Sequence, residues 1–205
     1  MRLITVLLLA ALSSTAHAGA QREEALSAAV QTAMMRSIND ALSPRLVFDN
    51  PADGQQWLAD MSRRLEKRIP DEFIRTRFLT TLHYEATRAG LDPQLVLGLI
   101  QVESGFKKYA LSNVGARGYM QVMPFWVKSI GNNSQNLFDM STNLRFGCVI
   151  LRHYLDIEKG NLYRALGRYN GSLGRPEYPN LVVGAWKRHW HYVPGGSSVQ
   201  LVKNP

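Results

Sequence analysis

The chain has 205 residues, 24 Lys+Arg against 16 Asp+Glu, and 45% apolar residues, enough for one packed core and too apolar for a disordered or collagen-like chain. A single cysteine excludes an internal disulfide framework and a cysteine-rich zinc site, and no apolar run approaches the roughly 20 residues that span a bilayer. The formal net charge of +8 calls for an anionic partner. From the N-terminus, Met1-Arg2, an apolar run from Leu3 to Leu12 and the small-residue site Ala16-His17-Ala18 read as a secretory signal peptide cut after Ala18. No cysteine adjoins that point to accept a lipid, so the expectation is export without an anchor. Export, and the lack of a zinc finger, an RNA-binding aromatic motif or a basic zipper, argue against nucleic acid.

Residues 20–43 carry Leu26, Val30, Met34 and Ile38 at four-residue spacing, one face of a helix. Residues 49–54 read as a turn-rich linker, and a charged helix is predicted over 55–68. Pro70 opens another, with a stripe of Ile74, Phe78 and Leu82, ending at Gly90. Asp92 and Pro93 then supply an N-cap and a favoured first residue for the best-marked helix. Its stripe is Leu95, Val96, Leu99 and Ile100, and Gly105 can close it in a left-handed conformation. Residues 106–118 look irregular, with short extended pieces at most. Helices are predicted again over 119–130, 141–158, 161–169 and 181–190, followed by a Gly- and Ser-rich tail after Pro194. There is no alternating β pattern of useful length. The expected architecture is mainly α.

Glu103 continues the apolar stripe of the 92–105 helix, three residues after Ile100. It also sits in the last turn, where the helix dipole disfavours negative charge. Both effects raise a carboxyl pKa, and an acid protonated near neutral pH suits general acid catalysis. Spacing alone favours a helix-end glutamate that reaches solvent.

Other signals carry no chemistry. Residues 49–60 imitate a calcium loop, but Pro51 stands where an oxygen ligand is needed and Asp60 where the loop requires Glu. His189 and His191 do not share a helical face, and Cys148 lies on an apolar stripe, a packed thiol rather than a nucleophile. Two Asn-x-Ser sequons, at Asn132 and Asn170, read as chance.

Four elements in order then follow Glu103. They are Glu103-Ser104; Ser112 with Gly115-Ala116-Arg117-Gly118-Tyr119-Met120-Gln121; Asn143-Leu144-Arg145-Phe146-Gly147; and Tyr169-Asn170. Together they resemble the soluble lytic transglycosylase (SLT) or goose-type lysozyme-like domain, across residues 71–192. The resemblance implies an α+β lysozyme-like fold, helical with a short irregular or β-containing segment after the catalytic helix. It implies a catalytic domain over 69–192, with residues 19–68 as an N-terminal helical extension and 193–205 as a flexible tail.

The implied activity is cleavage of the β-1,4 bond between N-acetylmuramic acid and N-acetylglucosamine in bacterial, periplasmic peptidoglycan. Glu103 would serve as the single general acid/base, leaving 1,6-anhydro ends, with no metal and no cofactor. Ser104 and Ser112 would offer hydroxyls and Gly115 and Gly118 close backbone approach. Met120 would be cleft wall or core, Gln121 a hydrogen-bonding cleft residue, Tyr169 an inward ring with its hydroxyl near Glu103, and Asn170 a holder of loop or sugar. Two departures stand out. Tyr119 replaces a Leu, which would alter a wall of the sugar cleft, and Gly171-Ser172-Leu173-Gly174 changes the loop after Tyr-Asn. Rival readings are a muramidase using Asp139, Asp156, Glu158 or Glu177 as second carboxylate, and a non-catalytic wall-binding module. The N-terminal helices could dock an envelope or secretion-machinery partner.

Overall fold

The computed structural model describes residues 21–40 and 43–193. Residues 1–18, read from the sequence as a signal peptide, and the tail after 193 lie outside them. Eight α-helices follow in order: α1 (Ala28–Asn39), α2 (Pro51–Leu65), α3 (Glu72–Arg88), α4 (Pro93–Glu103), α5 (Phe125–Ile130), α6 (Met140–Ile157), α7 (Leu162–Asn170) and α8 (Glu177–Ala185), which runs into a π-helical turn, Trp186–Trp190. The only pairings outside helices among the described residues are two antiparallel bridges, Leu111 with Arg117 and Arg117 with Val122. The mainly α expectation holds, with Leu111 and Arg117 inside the segment predicted as irregular and Val122 beyond it.

Short polar side chains set most helix starts. Ser27, Asn50, Asp71, Asp92, Asp139 and Asn161 each accept a backbone N–H from the first turn of the helix they precede. Three boundaries depart from the sequence reading. Residues 49–54 are not a linker, because Asn50 caps α2 and Pro51 opens it. Residues 119–124 are not helical. Gln121 has a left-handed φ of 49°, and Val122 pairs with Arg117 instead. The last helix begins at Glu177, four residues before the predicted 181. Ile74, expected on a core stripe, is exposed. Arg75 is buried in its place, donating to Ser62 Oγ and to the Ile69 and Pro70 carbonyls.

Helix α4 is apolar nearly all round and lies at the centre, packed against α3, α8 and the π-helical turn. Helix α6 packs on α3 and α7, while α1 lies across α5 and α6 and α2 packs on α3. Gly105 and Phe106, both left-handed (φ 58° and 68°), turn the chain out of α4. A side chain at positive φ is costly unless its surroundings hold it. Phe106 is held by its ring, buried 6.0 Å from Phe78 and 5.3 Å from Trp190. The end of α4, and Glu103 on it, is thereby fixed to the core.

Candidate active site

Glu103 closes α4 and is 6% exposed. Its Oε1 accepts a short hydrogen bond from the Tyr178 hydroxyl of α8. Its Oε2 is buried with no hydrogen-bond partner among the described residues. Burial pushes the carboxyl up to about 8, against a smaller opposing pull from Tyr178. The side chain therefore carries its proton at neutral pH. Spacing alone favours a helix-end glutamate that reaches solvent, and the burial of Glu103 overturns that.

The loop after α4 is built by the remaining motif residues. Ser104 Oγ lies 2.7 Å from the Tyr119 carbonyl, and Ser112 Oγ accepts the Ala116 N–H at 3.0 Å. Gln121, buried, donates from Nε2 to the Ala110 and Gly118 carbonyls at 3.1 and 3.0 Å. Gly115 and Gly118 have φ of 89° and 75°. At Gly118 a Cβ would lie 2.4 Å from Asn143 Nδ2, whereas at Gly115 it would meet nothing within 4 Å. Met120 is wholly buried against Gly147, where a Cβ would fall 2.3 Å from its Sδ.

Asn143, fully buried, accepts the Met120 N–H and donates to the Arg117 and Leu137 carbonyls, all at 2.8 Å. The Asn-x-x-x-Gly spacing on α6 thus supplies one staple and one hole for the loop. Tyr119 does not line a cleft wall. Its ring is buried 4.8 Å from Phe78, so the departure from Leu is absorbed in the core.

Tyr169 is fully buried and donates its hydroxyl to the Met120 carbonyl at 2.8 Å. Burial and the nearby Glu103 hold that phenol well above its usual range. Asn170, also buried, ends α7 beside the left-handed cap Gly171. The hydroxyl that touches Glu103 belongs to Tyr178, which sequence reasoning missed because the last helix was started too late. Its signal was present. Tyr178, Val182 and Ala185 share one face of a helix begun near Pro176.

Gln21 was also missed. Its buried side chain donates to the Gln121 carbonyl at 3.1 Å and accepts from Met123 N and Trp126 Nε1 at 3.2 Å. It meets the Tyr169 hydroxyl as well. No periodicity marks such a residue. Of the four acids considered as a second carboxylate, Asp139 caps α6, Asp156 pairs with Arg152, Glu158 pairs with Arg164 and Arg168, and Glu177 is exposed in the first turn of α8, next to Tyr178.

Residues 81–180 match the transglycosylase SLT domain family, and they contain Glu103, Tyr178 and all four motif elements. The chain carries a transglycosylase SLT domain. It is similar to a transglycosylase of Enterobacteria phage PRD1, 36% identical over 98 residues that make up 48% of this chain and 36% of the phage protein. A membrane-bound lytic murein transglycosylase C of Haemophilus influenzae is 33% identical over 93 residues, 39% of this chain and 26% of that protein. The matched segment thus spans about a third or less of these relatives. Among solved structures, an inactive mutant of the lytic transglycosylase Slt from Pseudomonas aeruginosa aligns with 62% of this chain and 23% of its own at 27% identity and a TM-score of 0.43.

Proposed function

We propose that the chain is a peptidoglycan lytic transglycosylase that cuts the β-1,4 bond between N-acetylmuramic acid and N-acetylglucosamine, with Glu103 as the single general acid/base. The carrying observation is a buried carboxyl, raised to about 8, whose Oε2 has no partner among the described residues. A protonated Oε2 can give its proton to a glycosidic oxygen. Departure of the leaving sugar is assisted by the substrate's own N-acetyl group, which replaces the second carboxylate that most glycosidases use. Glu103, now ionised and steadied by Tyr178, then takes the proton of the muramic C6 hydroxyl. That oxygen closes on C1 as a 1,6-anhydro ring.

The positions of Ser104, Ser112, Gly115, Gly118, Met120, Gln121, Tyr169 and Asn170 support a framing role. They shape the loop and the α7 end around Glu103 and leave the acid to do the chemistry. The matching relatives, one named a membrane-bound murein transglycosylase, support a site of action in the cell envelope. The leader-like N-terminus supports export to the periplasm, and among the described residues no helix is long and apolar enough to cross a membrane. The N-terminal helices are proposed to face an envelope or secretion-machinery partner.

The test is a digest of purified peptidoglycan by the mature chain and by Glu103→Gln, read by mass spectrometry. Anhydro ends that vanish with the variant are expected. Reducing ends would replace the proposal with hydrolysis, and no released sugar with binding retained would leave a wall-binding module.

A further inference from the structure

The loop after Glu103 has an outer face that is both apolar and cationic. Tyr109 is 72% exposed, Leu111 64%, and Val114 is exposed beside them. The Tyr109 ring lies 6.0 Å from that of Phe138, at the foot of α6. Lys108 Nζ stands 5.1 Å from the Tyr109 ring centre, and the Arg117 guanidinium 5.9 Å from that of Phe138. An exposed ring against a half-buried one, each with a cation over it, contributes little to a core. Such patches mark a contact surface.

The charges narrow what is contacted. On the helices, arginines face carboxylates: Arg64 meets Asp60, Arg88 meets Glu85, Arg152 meets Asp156 and Arg168 meets Glu158. Among the described ion pairs none includes Lys107, Lys108 or Arg117. Asp139, the acid next to Phe138, spends its carboxylate on the α6 N-cap, and Glu103 is buried in the site. The face is therefore cationic and aromatic together, which suits a ligand with carboxylates and aliphatic or sugar surfaces.

This face is tied to the site. The Ala110 carbonyl, between Tyr109 and Leu111, accepts from Gly118 N at 2.9 Å and from Gln121 Nε2. Arg117 is bridged on one side to Leu111 and on the other to Val122. Ser104 joins the whole loop to the end of α4. A ligand lying on the face is held in a fixed relation to Glu103.

We propose that Lys108, Tyr109, Arg117 and Phe138 form a docking surface for the peptide stems of the murein strand being cut, the cations taking stem carboxylates and the rings the aliphatic or sugar faces beside them. This rests on the reading of the chain as a peptidoglycan-cleaving enzyme. In murein the muramic lactyl group is tied up in an amide to the stem, so the free carboxylates belong to the stems. Charge selects stems over the glycan backbone.

Binding, rather than turnover, tests it. The full mature chain with Glu103→Gln is sedimented with two murein preparations, both with amines acetylated, one with its carboxylates also capped as methylamides. The uncapped murein is expected to bind about tenfold tighter, a preference that shrinks with added salt. Lys108→Gln with Arg117→Gln is expected to abolish the preference while circular dichroism and melting stay unchanged. Equal binding of the two preparations, or a preference that survives the double variant, would overturn the proposal. Failure of the cleavage reading shows separately, in the sugars released by the unmodified chain.

Discussion

Two glutamates are buried in this protein, and they are buried differently. Glu85, on α3, is 1% exposed and lies between two guanidiniums, Arg88 at 2.9 Å and Arg145 at 2.9 Å. Those arginines also reach the Ser37 and Ile38 carbonyls and so hold the end of α1. Glu103, 6% exposed, has one neutral hydroxyl and no cation. The first carboxylate is compensated and serves as a structural joint. The second is uncompensated, so it keeps its proton, and a proton kept at neutral pH can be delivered. Burial alone does not keep a carboxyl protonated; burial without a counter-charge does.

The largest effect should follow from Glu103→Gln. Sugar release is expected to fall at least about a thousandfold, the upper part of what a positioned general acid contributes, as read by mass spectrometry of the digest. Stability should move the other way. Glu103 in the folded chain titrates near 8, above its unfolded value near 4.5, so its stabilising share is full below the unfolded pKa and is lost as pH rises toward 8. The amide escapes that loss. The melting temperature of the variant relative to the parent should therefore climb between pH 5 and pH 8, and a flat difference would contradict the uncompensated carboxyl.

Glu85→Gln breaks the other half of the comparison. It strands two half-buried guanidiniums and should cost about 3 kcal/mol in a urea titration, with sugar release per folded molecule little changed. A large loss of turnover at full folding would show that the two carboxylates are not separable. Gln21→Ala comes next. It leaves the Gln121 carbonyl, Met123 N and Trp126 Nε1 without their partner and should cost about 2 kcal/mol. Its effect should fall on kcat more than KM, with a shift in Trp126 fluorescence reporting the lost indole bond.

Helix count was legible because capping residues and apolar stripes are local signals. Asp92-Pro93 announces its helix without tertiary help. Glu103 was legible only with the motif elements around it, since its register on an apolar stripe by itself favours a side chain that reaches solvent. The loop from 104 to 124 was not. Its shape depends on Asn143 and Gly147, which lie on another helix, and on a left-handed Gln121 that no propensity favours. Gln21 was invisible because it stands outside any periodic element and acts through partners a hundred residues away. Tyr178 was lost to a boundary placed four residues late.

Tyr178→Phe gives the smallest change and the sharpest one. The phenol donates to Glu103 Oε1, which favours the carboxylate and holds the pKa below where burial alone would set it. Removing the hydroxyl leaves the acid more reluctant to ionise. The basic limb of the kcat/KM profile, which reports loss of the proton from the free enzyme, should then move upward by about one pH unit. Below that limb the first proton transfer is eased and the second, from the C6 hydroxyl to the carboxylate, loses its steadying partner, so the net rate should change less than about tenfold. A limb that moved down would mean that Tyr178 acts on Glu103 by crowding or by orientation and not by stabilising its charge. The distinction between the compensated and the uncompensated carboxylate would then rest on burial geometry alone.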